Sequence, residues 1–134
     1  MAEIVVTMPI YWQQTKAKTV LVSLNAYRNW HYFTANKFKA EFAEIVNTQI
    51  GSAGSIESEY STHHVVYFKR SNCDASNIVP VVEKVVLDAL VTAGLLTGDS
   101  VKYHTSSSWE VCKDAENPRC VTTITKKETD NVHK

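Results

Sequence analysis

The sequence predicts a single α/β (α+β) domain, a mixed β-sheet with two helices packed on it in the order ββαβαββ, and three observations predict it. Short runs of β-branched residues alternate with two stretches of helical periodicity. The 134 residues, 44% of them hydrophobic, suit one core. The chain shows no internal repeat, linker or low-complexity segment, so the domain takes up residues 1–134, with a polar tail over 126–134 expected to fray.

The elements follow in order. Ile4–Met8 and Thr19–Leu24 are rich in β-branched residues and read as two strands joined by a polar loop around Gln13–Lys18. Asn25–Phe33 crowds Tyr27, Trp30, Tyr32 and Phe33 around Arg28 and His31, too aromatic for a solvated turn, and reads as a loop lying against something else. Thr34 is placed to cap a helix in which Phe38, Phe42, Ile45, Val46 and Ile50 recur at helical spacing, and Gly51 stops it. Ile56–Arg70 reads as one long strand that delivers the chain to Asp74. From Asn77 to Ala93 the apolar set Val81, Val82, Val85, Val86, Ala89, Leu90 and Ala93 marks a second amphipathic helix, entered through Pro80 and closed by Gly94. So many valines imply that tertiary packing, not intrinsic propensity, holds this helix. Val101–Val111 and Arg119–Thr125 read as the last two strands, joined by the turn-rich Asp114–Pro118.

Charge and cysteine content narrow the function classes. Fourteen basic and 14 acidic residues balance, so no net field draws the chain to nucleic acid or to a membrane, and any DNA contact must use a local patch. Cys73, Cys112 and Cys120 form no C-x-x-C pair, which fits reduced thiols and argues against structural zinc. The N-terminal residues carry no basic leader, and no apolar run approaches the roughly 20 residues that span a bilayer, so a cytoplasmic protein without membrane contact is expected.

Candidate chemistry centres on Asp74–Asp99. At about 100° per residue, Asn77, Lys84 and Asp88 share one stripe of the second helix, whereas Glu83 is turned some 120° from Asn77. If the loop after Gly94 folds back past the start of this helix, Asp99 approaches Asp74, and two carboxylates with an amide oxygen nearby suit Mg²⁺. Such a site can hydrolyse phosphodiesters, with Lys84 neutralising charge in the transition state. The plainer alternative has Asp74 capping a turn, Lys84 and Asp88 forming an exposed i,i+4 pair and Asp99 serving as a turn residue. His63 and His64 are adjacent on a strand, point to opposite faces and cannot share one ion. Cys73 reads as a small buried hydrophobe, and Cys112 and Cys120 flank the last turn in a position to face each other.

Asp74-Ala75-Ser76-Asn77, Lys84, Asp88-Ala89-Leu90, Ala93-Gly94 and Asp99-Ser100 together resemble the signature of the RusA family of Holliday junction resolvases, D-x-D-N, a lysine, D-A-L, A-G and D-D. Asn25-Ala26-Tyr27-Arg28 resembles that family's N-x-x-Y-R region, and Asn117-Pro118-Arg119 is similar to members found in bacteriophages. The resemblance covers about residues 5 to 126. It implies a homodimeric, Mg²⁺-dependent endonuclease that cuts four-way DNA junctions, with acidic residues from each subunit forming a metal site. Carried over residue by residue, it makes Asp74 and Asp99 the metal-binding catalytic carboxylates and Lys84 the motif lysine, with Ser76, Asn77 and Asp88 as motif support. Two positions depart from the pattern: Ser76 stands where the second aspartate belongs, and Gly98 replaces the first aspartate of the distal pair. A serine brings no charge to a metal, so the alternative is a weakened relative that binds branched DNA or a protein partner. Arg28, Lys37, Lys39, Lys69 and Arg70, from three neighbouring elements, are the candidate phosphate contacts, with Trp30 or Tyr32 placed to stack on an unpaired base.

Overall fold

Alternation of apolar and polar residues builds the sheet. A computed structural model describes residues 3–127. In it, β1 (Glu3–Pro9), β4 (Tyr60–Phe68) and β6 (Arg119–Lys126) bury every second side chain, the period that puts one face on a core. These strands and β5 (His104–Lys113) form a four-stranded sheet in the order β1-β6-β4-β5. The β1–β6 and β6–β4 pairs are antiparallel and β4–β5 is parallel, so the sheet is mixed, as the sequence predicts. Ile4, Val6, Met8, Tyr60, Val66, Cys120 and Ile124 lie buried on its inner face.

Two strands form a hairpin of their own, β2 (Tyr11–Thr15) with β3 (Lys18–Leu21). The polar loop expected around Gln13–Lys18 is therefore shorter than the sequence suggests, and the described residues form six strands. Trp12 is the reason. Its ring is buried against Trp30 and Phe38, and its indole N–H donates to Glu41 at 2.9 Å, which draws the first half of that segment into a strand.

The aromatic stretch is not a loop but begins as a short helix, α1 (Leu24–Asn29), capped by Ser23, whose hydroxyl accepts from the Ala26 N–H at 3.2 Å. It does lie against something: Tyr27 and Trp30 pack edge-on around Phe38. Helix α2 (Tyr32–Asn47) starts ahead of Thr34, with His31 as its cap, and buries Phe38, Phe42 and Val46. Helix α3 (Val79–Thr92) follows a single 3₁₀ turn (Ala75–Asn77) and carries Pro80 in its first turn. Gly94, at φ +82°, ends it as the sequence predicts, because that left-handed turn strains any residue with a Cβ. The long strand expected from Ile56 begins only at Tyr60, and Ile56 makes an isolated bridge to Leu96 instead. The expected tail beyond residue 127 lies outside the described residues.

The parallel β4–β5 pair needs a crossover, and α3 supplies it. Helix α3 therefore starts near the end of β4 and finishes near the start of β5. Strand β5 ends the sheet at one edge and is exposed along nearly its whole length. Among the described residues no helix is long and apolar enough to cross a membrane.

Candidate functional site

The end of β4 gathers part of the predicted site: Lys69, Arg70, Asp74, Ser76 and Asn77 follow it directly. Lys69 and Arg70 leave the strand, and with Tyr11, Thr19 and Pro118 they line an open concavity of about 380 Å³. Neither cation is ion-paired among the described residues. Four residues on, Asp74 caps the 3₁₀ turn: its Oδ1 accepts the Ser76 N–H at 3.2 Å and the Ser76 hydroxyl at 2.7 Å. Ser76 thus ties up one oxygen of the carboxylate it neighbours. Lys84 and Asp88 form an i,i+4 pair at 3.7 Å with both side chains about half exposed, a pairing worth only a few tenths of a kcal/mol.

Asp99 is held at the other end of α3. After Gly94 the chain does not turn back toward Asp74: the Ile56 N–H donates to the Leu95 carbonyl at 2.8 Å, and the Tyr60 hydroxyl donates to the Gly98 carbonyl at 2.8 Å. These bonds fix the loop beside the start of β4. Burial, with Asp99 and Glu83 adding negative charge nearby, pushes the Tyr60 phenol up to about 12, so it stays a donor at neutral pH. The 14 residues of α3, about 21 Å at 1.5 Å per residue, separate the Asp74 end from the Asp99 end. A side chain at Gly98, where the motif has its other aspartate, meets the Tyr103 ring at 3.1 Å. Among the described residues no group of three or more His, Cys, Asp or Glu side chains is arranged to hold a metal.

The predicted basic residues divide between sites. Lys37 donates to the Gln14 carbonyl at 3.1 Å, sits 3.9 Å from Glu41 and lies over the Trp12 ring. Lys39 lines a separate cleft of about 150 Å³ between α2 and α3 and lies over Tyr27. Arg28 falls in the last turn of α1. Lys69 and Arg70 are the two that share a concavity.

A polar cluster between α3 and the sheet is what the sequence reading missed. Glu83 does leave the Asn77 stripe, and it turns toward the sheet. Its Oε2 accepts from His64 Nε2 at 2.7 Å, the Ser107 hydroxyl at 2.7 Å and the Thr62 hydroxyl at 2.9 Å. Because a carboxylate only accepts, His64 must carry its proton on Nε2; the Thr122 hydroxyl lies 2.8 Å from Nδ1. Thr62 spends its proton on Glu83, so His104 Nε2, 2.9 Å away, donates to Thr62. His64 is fully buried. Burial alone raises the Glu83 carboxyl, but the bonds from His64, Ser107 and Thr62 outweigh it and hold the group down at about 2. The available signal was an acidic residue among the valines on the buried side of α3, facing a strand with Thr62 and His64 on one face.

His63 does point to the opposite face, between the Ser108 hydroxyl at 2.6 Å and Glu110 at 2.8 Å. Cys73 is half-buried, and burial with the Asp74 charge raises its thiol, which suits the packing role expected. Cys112 and Cys120 do not face each other: Cys120 is buried on the inner face and pushed up to about 11, whereas Cys112 is exposed. Alternation explains it, since Cys112 pairs with Tyr67 and Cys120 with Val66, whose side chains leave opposite faces.

No protein-family model and no curated protein matches the chain.

Proposed function

We propose that the protein acts on branched DNA in the cytoplasm as a structure-selective endonuclease of the RusA type, Mg²⁺-dependent and working as a homodimer. One observation carries this reading: Lys69 and Arg70, without ion-pair partners among the described residues, line a concavity at the end of β4, five and four residues ahead of the exposed Asp74 carboxylate. Lys69 and Arg70 suit phosphate oxygens, Arg70 as a fork and Lys69 as a point charge, while the zero net charge of the whole chain keeps binding local. Asp74 is a hard oxygen donor where such a phosphate would lie.

A single protomer falls short of the metal site. Among the described residues no group of three or more His, Cys, Asp or Glu side chains gathers around Asp74 to hold a metal, and the Ser76 hydroxyl donates to one of its oxygens. We therefore derive no step through Mg²⁺ in the protomer, and on this proposal cleavage belongs to the assembled protein. The same hydrogen bond favours the alternative of a relative that holds branched DNA without cutting it.

A labelled four-way junction, with and without Mg²⁺, separates the two. Retention with Mg²⁺-dependent nicking, lost in Asp74→Asn and raised in Ser76→Asp, supports the endonuclease. Retention without nicking selects the binding module. Full nicking by Asp74→Asn refutes the role given to that carboxylate.

A further inference from the structure

The outer face of the sheet, opposite the one that carries the core, holds a second polar arrangement. His63 stands opposite Ser108 across the parallel β4–β5 pair, and Glu110 follows Ser108 by two residues, so all three side chains leave on one face. His63 Nε2 lies 2.8 Å from a Glu110 oxygen, and Nδ1 lies 2.6 Å from the Ser108 hydroxyl. A carboxylate only accepts, so in the neutral ring Nε2 carries the proton and Nδ1 is left to accept from Ser108. The order hydroxyl, imidazole, carboxylate is thereby fixed, with a base aimed at a nucleophile and a third group aiming the base.

We propose that Ser108, His63 and Glu110 form an ester-hydrolysing site, independent of the endonuclease reading. The Ser108 oxygen bonds to the acyl carbon while its proton passes to His63 Nδ1. Collapse of the tetrahedral adduct breaks the bond to the leaving oxygen, which takes that proton and departs as the alcohol. Water then attacks the acyl-serine and gives a proton to Nδ1, and the acid leaves as Ser108 takes the proton back. Ester and water become acid and alcohol, and the balance needs no further reactant. Glu110 offsets the charge of the imidazolium formed in each half.

Strand β5 supplies a donor for the oxyanion. The Tyr60 N–H bonds the Tyr103 carbonyl and the Asp114 N–H bonds the Phe68 carbonyl, so the even-numbered residues of β4 turn their main chain toward β5. In a parallel ladder each of these bonds the two neighbours of the residue opposite it. Trp109 is opposite His64. His64 therefore engages Ser108 and Glu110, and the Trp109 N–H turns to the open edge, where no further strand pairs. That N–H belongs to the peptide directly after the nucleophile, where an oxyanion donor is needed. In the neighbouring rows Val65 faces Val121, and Val5, 49% exposed, faces Thr123, which gives a short acyl chain an apolar floor.

Openness sets the substrate class. With His63 41% and Glu110 65% exposed, water screens the pair and the adduct is not enclosed. The site suits short-chain aryl esters, whose leaving group departs readily, rather than amides.

Turnover of p-nitrophenyl acetate by the Cys112→Ser protein tests this, because the exposed Cys112 thiol would itself take an acyl group. Nitrophenol release should continue beyond one equivalent, with the acyl group found on Ser108 by mass spectrometry. Ser108→Ala should fall to the rate of free imidazole at equal concentration, and His63→Gln should lose about 100-fold or more. A fluorophosphonate should modify Ser108 of the wild-type chain and abolish turnover, a readout that needs no substitution. Unchanged turnover in Ser108→Ala, acyl groups on lysines alone, or no phosphonate on Ser108 overturns the proposal.

Discussion

Replacing Glu83 by glutamine removes one charge and leaves the shape, so it isolates what the polar cluster contributes. The carboxyl lies at about 2 in the folded protein against 4.5 for the free group. The native state therefore binds this proton less tightly than the unfolded chain does. Its contribution is complete above pH 4.5 and drains away as pH falls toward 2. With the side chain only 21% exposed, a gap of this size corresponds to about 3 kcal/mol at pH 7 and about 1 kcal/mol at pH 3. Glutamine keeps one acceptor oxygen but cannot serve three donors as well, which leaves part of the buried His64 and Thr62 polarity unpaired, a further cost in the same direction. Urea unfolding of wild type and Glu83→Gln at pH 7 and pH 3 is the assay. The variant should be about 3 kcal/mol less stable at pH 7, and the difference should shrink by roughly half or more at pH 3. Equal stabilities at pH 7, or a difference that does not narrow in acid, would refute the picture of an anion held by three donors.

Trp12→Ala empties a site packed by Trp30 and Phe38 and removes the indole N–H bond to Glu41, and should cost about 3–5 kcal/mol in chemical denaturation. Gly94→Ala forces a Cβ into the left-handed turn at φ +82°; there is open space around it, so the loss is backbone strain alone, about 1 kcal/mol by thermal unfolding. Lys69→Ala with Arg70→Ala should weaken junction binding and flatten the plot of log affinity against log salt by about 1.8, two phosphates' worth; an unchanged slope removes the concavity from the DNA surface. Ser76→Asp sets a second carboxylate beside Asp74, so Mg²⁺ at ten times its dissociation constant should stabilise this variant by about 1.4 kcal/mol and the wild type by less, which a melting series with and without the ion reads directly.

Much of this was legible because local pattern and tertiary role coincided. The valine stripe of α3, its Pro80 entry and Gly94 exit, and the alternation in β1, β4 and β6 each specify an element from within a few residues. The errors came where a distant partner decided. Nothing local says that Tyr11 and Trp12 begin a hairpin, because the reason is a pocket made by Trp30 and Phe38. Thr34 is a good cap by type, but His31 caps α2 because α1 ends at Asn29 and the chain must turn there. The placement of Asp99 was the most consequential case. Its distance from Asp74 depends on β4 and β5 being parallel and on Leu96 bridging to Ile56, and neither is a property of the Asp74–Asp99 segment. Glu83 was set aside by a helical-wheel comparison with Asn77 that was correct in angle and silent about what the other side of the helix faces.

The Glu83 cluster and the free edge of β5 are physically linked. An internal strand is held in place by apolar burial on a face and by main-chain bonds on both sides. Strand β5 has neither face covered along most of its length and pairs only with β4. What fixes its side chains is polar: Ser107 donates to Glu83, His104 to Thr62, and on the other face His63 bridges Ser108 and Glu110. Hydrogen bonds can hold such a strand while leaving its outer main-chain groups free. Glu83→Gln should accordingly raise amide hydrogen exchange in β5 more than in β1 and β6, because β5 loses the Ser107 bond to Glu83 that helps to hold it.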